Sequence, residues 1–285
     1  MEFAAHLLNA LLMIAMPLGL AIWIIRRFSL TWNLWLIGAA VFIISQVGHI
    51  PFNYLMTFLF NRTGLVNLTP TGALVFNSIY LGLSAGLWEE SCRYGMYRWW
   101  VRDVRTWRKG VLLGAGHGGA EAIALGGLAL YGFIQLVGLR HADLSQLVPA
   151  PQLAQAVQQV SAYWTAPWYE ALLGAAERIF AMTAQIGLSI LVLQVFIRRQ
   201  AFWFWIAVAF HALTDGGSLL AEHYVGVYWT EALIGLFALI SLGLILALRR
   251  PEAAPAEASQ PAPLVTIGRR DETETAERLE ETRFL

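Results

Sequence analysis

The chain has 285 residues, 58% of them hydrophobic, 13% charged, with a net charge of zero and a single cysteine. That composition places it among multi-spanning membrane proteins. It excludes nucleic acid as a partner suggested by charge, and it excludes a fold held by internal disulfides.

Seven apolar segments are long enough to cross about 30 Å of hydrocarbon at about 1.5 Å per residue. They are expected near 4–25, 34–59, 73–97, 111–138, 169–197, 201–222 and 228–248. The first carries Glu2 in front and Arg26-Arg27 behind, the reverse of a signal peptide, so it reads as a retained span. Basic residues then sort the loops. Arg26 and Arg27, the run from Arg98 to Lys109, Arg198-Arg199 and Arg249-Arg250 all fall on one side if the N-terminus is outside. By the positive-inside rule that side is the cytoplasm, which also holds the C-terminus. The expected fold is therefore an all-α polytopic bundle of about seven spans, residues 1–250, in a cell membrane of the bacterial inner-membrane type.

In the outer loop 139–168, Leu153, Val157 and Val160 share a helical face, and the expectation is a short interfacial helix with Trp164 and Trp168 as surface anchors. Span 5 is long enough to be tilted or broken. Residues 251–285 are rich in Pro and Ala and then charged, and read as a flexible cytoplasmic tail.

The informative residues are the polar ones inside spans: Glu89, Glu90 and Arg93 in span 3, His117 and Glu121 in span 4, Glu177 and Arg178 in span 5, His211 and Asp215 in span 6. Seven unpaired charges at that depth would cost on the order of 20 kcal/mol, more than the net stability of a typical fold. They must be paired, neutralised or bound to a cation. His117/Glu121 and His211/Asp215 stand at i,i+4, each placing an imidazole and a carboxylate on one helix face. Arg93 lies at i+4 from Glu89 and i+3 from Glu90, so spacing leaves open which one it meets. Three helices thus present acids and histidines at overlapping depth. Gly82/Gly86 and Gly114/Gly118 are small-xxx-small pairs that allow close helix approach. Glu177-Arg178 reads either as a self-contained ion pair or as part of the site. His49, ahead of Pro51, reads as satisfied at a kink, and Cys92 as a packing residue.

Two histidines with carboxylates suit zinc, with an open position for water and a nearby glutamate to take its proton. The soluble zinc-protease signature H-E-x-x-H is absent. In order, "EESCRY", "GHGGAEAI" and "HALTD" make the chain resemble the CAAX-protease and bacteriocin-processing superfamily of intramembrane metalloproteases, and within it the YhfC-type membrane peptidases. The resemblance spans roughly residues 30–245. The family's E-E-x-x-x-R is one residue shorter here, Leu113 replaces the Phe of F-x-x-x-H, and H-x-x-x-D/N is met by His211 and Asp215.

The resemblance implies a membrane-embedded protease whose site opens toward the cytoplasm and which acts on a membrane-associated protein or peptide. Glu89, Glu90, Arg93, His117 and His211 are then the catalytic candidates, and Glu90, His117, Glu121, His211 and Asp215 the candidate zinc ligands, Glu121 from spacing alone. Two other readings use the same residues: a proton-coupled or metal-ion transporter, since intramembrane acids and imidazoles also build relays, and a non-catalytic membrane binding or immunity protein.

Overall fold

The computed structural model describes residues 1–64 and 68–249, and the expectation of a flexible tail falls outside them. Its helices are α1 (Glu2–Phe28), α2 (Trp32–Thr63), α3 (Pro70–Gly95), α4 (Trp107–Leu139), α5 (Ala150–Thr165), α6 (Leu173–Arg198), α7 (Phe202–Val225) and α8 (Val227–Ala247), with no strand among the described residues. All except α5 are long. Six of those seven are long and apolar enough to cross a membrane; α3, which carries Glu89, Glu90 and Arg93, is not among them by composition. The protein is a polytopic membrane helical bundle.

Sequence punctuation matches the helix ends. The chain leaves α1 at Ser29 (φ 52°) and α2 at Gly64 (φ 64°), both in the left-handed region that stops a helix. Pro70 opens α3, and the Thr69 hydroxyl accepts from the Gly72 amide at 3.2 Å. Span 5 is not broken: a 3-10 turn at Glu170–Leu172 leads into one continuous α6. It is the central helix, with every residue from Ala184 to Gln194 buried. Around it, α4, α7 and α8 pack directly, α1 and α2 cover α4, and α3 lies against α7 and α2. Large apolar side chains such as Leu36, Val47, Leu128, Leu213 and Leu239 are exposed, as lipid-facing surface requires.

The basic clusters do gather at one end. Arg108 lies 5.6 Å over the Phe28 ring, Arg249 lies 5.3 Å over Trp107, and the Trp107 indole donates to the Ile245 carbonyl at 2.7 Å. After α3 the chain makes one π-helical turn, Met96–Trp100, and Arg105 donates to the carbonyls of Tyr97 and Val104 there. Part of the expected cytoplasmic charge is therefore spent holding a loop.

At the opposite end α5 forms as expected and buries none of its residues. Trp168 is exposed, but Trp164 is more than a surface anchor: its indole donates to the Leu136 carbonyl at 3.2 Å and its ring takes the Arg140 guanidinium at 4.5 Å. His6 stacks on Tyr163 at 3.9 Å, tying α1 to the same corner.

Candidate active site

Glycine sets the spacing. A Cβ on Gly82 would stand 2.5 Å from the Ala212 carbonyl oxygen, and one on Gly86 would stand 2.8 Å from that of Val208, so α3 and α7 meet backbone to backbone. A Cβ on Gly118 would lie 2.9 Å from the Gln185 Cβ, bringing α4 equally close to α6. The expected small-residue seams are the actual ones, and they press Glu89, Glu90, His117 and His211 into one buried layer.

Within that layer the two glutamates divide. Arg93 Nη1 donates to both oxygens of Glu90 at 2.5 and 2.6 Å, and its Nη2 donates to Gln185 Oε1 at 2.6 Å. Glu90 Oε1 also meets His211 Nδ1 at 2.8 Å. Arg93 makes neither hydrogen bond nor ion pair with Glu89. Its Oε1 accepts from Gln46 at 2.8 Å, and its Oε2 stands 3.0 Å from His117 Nε2 and 3.8 Å from His211 Nε2. Asp215 Oδ2 lies 3.5 Å from the same His211 nitrogen. Glu90 and Arg93 are 0% and 1% exposed at the side chain, while Asp215 is 44% exposed and forms the open edge.

The i,i+4 spacing of His117 and Glu121 puts them on one face but does not pair them. Glu121 accepts from Arg178 at 2.7 Å and from Gln185 at 3.0 Å. Arg178 also bonds Glu177, so this is not a self-contained pair; it is linked to Glu89 through Glu121 and Gln185. Among the residues expected to hold a metal, His117, His211 and Asp215 gather around Glu89, whereas Glu90 and Glu121 have their carboxylates engaged by guanidinium groups. Sequence reasoning passed over Gln46 and Gln185. Their only signal is an uncharged amide inside an apolar run, Gln46 three residues before His49 and Gln185 eight after Glu177.

Whether a metal suits this layer is a matter of donors and charge. Among the described residues, no group of three or more His, Cys, Asp or Glu side chains is arranged so that it could hold a metal ion as it stands; the donors bond one another. Their chemistry nevertheless fits. With Nδ1 of His211 donating to Glu90, its Nε2 presents a lone pair to two carboxylates, Glu89 and Asp215, which calls for a cation between them. His211 Nε2 and Asp215 Oδ2, 3.5 Å apart, stand near the ligand–ligand edge of about 3.3 Å in a tetrahedron with zinc-like bond lengths. Glu90 behind His211 is the carboxylate that commonly orients a metal-bound imidazole.

The layer opens in one direction. A cavity of about 130 Å³ touches Glu121, Gln185, His211 and Asp215. A larger one of about 450 Å³ shares Asp215 and Ser218 with it and reaches Glu222, Val227 and Thr230 at the α7–α8 turn. That is the end opposite the basic clusters. Toward the basic end the layer is closed by buried Tyr97, Leu112, Leu113, Ile190 and Leu193. This corrects the expectation of a site open toward the cytoplasm: residue depth alone matched that opening, but side-chain volume decides it, and the bulky core lies on the basic side.

Comparison with known proteins gives the family. A family model described as "YhfC intramembrane metalloprotease" matches residues 12–245. The chain is 30% identical over 243 residues to "Uncharacterized membrane protein YhfC" of Bacillus subtilis (strain 168), covering 82% of this chain and 92% of that protein. No solved structure matches. The matched region contains every buried acid and imidazole described above, and the chain belongs to the YhfC family.

Proposed function

We propose that the protein is an intramembrane metallopeptidase that hydrolyses a peptide bond of a membrane-associated protein or peptide. The observation that carries this reading is the Glu89 carboxylate, buried within reach of two imidazole Nε2 atoms and open through Asp215 to a cavity. The resemblance to the CAAX-protease superfamily and the description of the matched family support the same chemistry.

His117, His211 and Asp215 would hold the ion, with zinc the best match for imidazole and carboxylate donors. A bound zinc supplies a water acidic enough to be deprotonated near neutral pH and polarises the carbonyl. The remaining work belongs to the chain. Glu89 takes the proton of the attacking water and returns it to the leaving amine. Glu90 fixes His211 through Nδ1, Arg93 fixes Glu90, and Gln46 holds Glu89 Oε1 so that Oε2 faces the imidazoles.

The test is metal analysis of protein purified in mild detergent. Wild type should carry about one zinc per chain. His117→Ala and His211→Ala should lose it, and Glu89→Gln should keep it while losing peptide cleavage. A metal-free wild type together with normal cleavage by Glu89→Gln would end the reading.

A further inference from the structure

His49 is satisfied in this structure, as its sequence context suggests, yet its partner leaves one nitrogen free. On α2, Gln46, His49 and Asn53 recur at helical spacing and face α3. Gln46 holds Glu89 at 2.8 Å. One turn further, Asn53 Oδ1 accepts from the Tyr80 hydroxyl at 2.9 Å and from Ser84 Oγ at 2.8 Å. The amide turns its Nδ2, which can only donate, to His49 Nε2, 2.8 Å away, so a neutral imidazole accepts there. The imidazole proton is thereby assigned to Nδ1, which has no partner among the described residues. His49 is half-buried and lines the 450 Å³ cavity together with Asp215 and Ala85. It is held by Asn53, itself fixed by Tyr80 and Ser84, and points a donor at no protein group among the described residues.

We propose that His49 Nδ1–H is a catalytic hydrogen-bond donor to the carbonyl oxygen of the peptide bond being cleaved. The wall of this cavity carries Glu177, Asp215, Glu222 and Glu231 and neither lysine nor arginine. Among these acceptors, an N–H that meets no protein group is matched to a ligand's carbonyl oxygen. As water adds to the carbonyl carbon, its proton passes to Glu89 and the carbonyl oxygen takes the electron pair. His49 stabilises that oxyanion. The C–N bond then breaks, and the proton on Glu89 goes to the leaving amine, giving acid and amine from peptide and water. The assignment rests on the peptidase reading above.

The experiment compares wild type with His49→Leu and His49→Asn, all purified in detergent. His49→Asn retains an N–H near the Nδ1 position; His49→Leu does not. Loss of one oxyanion donor is worth about 10²- to 10³-fold in kcat. His49→Leu should therefore lose about 10²-fold in kcat with little change in KM, His49→Asn should recover most of it, and both should keep the wild-type zinc content. Affinity for a phosphinic peptide analogue, measured by calorimetry, should fall at least tenfold in His49→Leu and less in His49→Asn. Cleavage and analogue binding by His49→Leu at wild-type levels overturn the role of His49 alone. Zinc loss in His49→Leu overturns it in favour of a metal ligand. A wild type without zinc or cleavage removes the peptidase reading, and this inference with it.

Discussion

The α3–α7 seam offers the most direct test of how the fold builds the site. Gly86→Ala adds one methyl group, 2.8 Å from the Val208 carbonyl oxygen and 3.5 Å from the Cβ of His211. Ordinary contact begins near 3.4 Å, so α7 must retreat by about 0.6 Å or the backbone must bend, since a carbonyl cannot rotate away like a side chain. Overpacking of this kind costs about 1–3 kcal/mol. The same movement stretches the 2.8 Å contact between His211 and Glu90 and the 3.8 Å approach of His211 to Glu89. A displacement of about 1 Å costs roughly 10²-fold in a positioned reaction, so about tenfold is expected here. Gly217 is the control, because a Cβ there meets nothing within 4 Å. Thermal unfolding in detergent, followed by tryptophan fluorescence, reads the first effect, and cleavage of a quenched-fluorescence peptide reads the second. If Gly86→Ala matches Gly217→Ala in both, the close approach does not position His211 and the argument from glycine is wrong.

Arg93→Met should destabilise the protein by about 3–5 kcal/mol, because it strands Glu90 as a buried charge; the double variant Glu90→Gln/Arg93→Met should recover part of that loss in the same melting assay, and equal loss in both would show that the pair is not coupled. For the membrane orientation, a Cys92→Ser background carrying Glu222→Cys should react with an impermeant maleimide in intact cells, whereas one carrying Arg102→Cys should react only after permeabilisation; the reverse pattern would invert the topology. In the α4–α5 loop, bonds from the Ser145 hydroxyl and backbone N–H hold the Asp143 carboxyl below its ordinary range. Because the folded value is the lower one, this contribution is complete above the unfolded value of about 3.9 and fades as pH falls through the folded value. Amide protection at Ser145 should hold from pH 7 to about 5 and drop below about 4, and an identical profile in Asp143→Asn would assign the effect elsewhere.

Much of this was legible in sequence because the membrane narrows the choices. Seven apolar runs became seven long helices, since a backbone in hydrocarbon must satisfy its own hydrogen bonds, and the arginines mark one end of the bundle as charge placement in loops requires. The gathering of Glu89, Glu90, His117, His211 and Asp215 was legible from the cost of leaving such groups apart. Their pairing was not. Arg93 chooses Glu90 because Gln185, a residue 92 positions away on α6, anchors the other arm of the guanidinium. Glu121 turns from His117 to Arg178 because a cation on the neighbouring helix outbids an imidazole one turn away. Both outcomes depend on α6, whose contribution to the layer includes a neutral amide, Gln185, that no periodicity marks. The direction of opening was hidden for a similar reason: it depends on which end of the layer receives Leu112, Leu113 and Ile190 from two different helices.

Charge balance in the layer constrains the chemistry further. With all three ionised, Glu89, Glu90 and Asp215 supply three negative charges around His211, and among the described residues Arg93 is the one guanidinium that bonds any of them, leaving a deficit of two. A proton on His211 Nε2 would offset one charge; a divalent cation at that nitrogen would offset both. His117 reinforces the point. Its Nδ1 is buried with no hydrogen-bond partner, beside the Phe42 ring at 5.4 Å. If Nε2–H donates to Glu89, Nδ1 is left as a bare acceptor; if Nδ1 carries the proton, a lone pair on Nε2 faces a carboxylate. Either tautomer leaves Nδ1 unsatisfied, at a cost of about 1–3 kcal/mol, and in the second a proton or a metal cation must lie between Nε2 and Glu89 Oε2. Both histidines therefore aim their Nε2 atoms at the place where the surrounding carboxylates lack a cation, and the metal content of wild type against His117→Ala measures which ion supplies it.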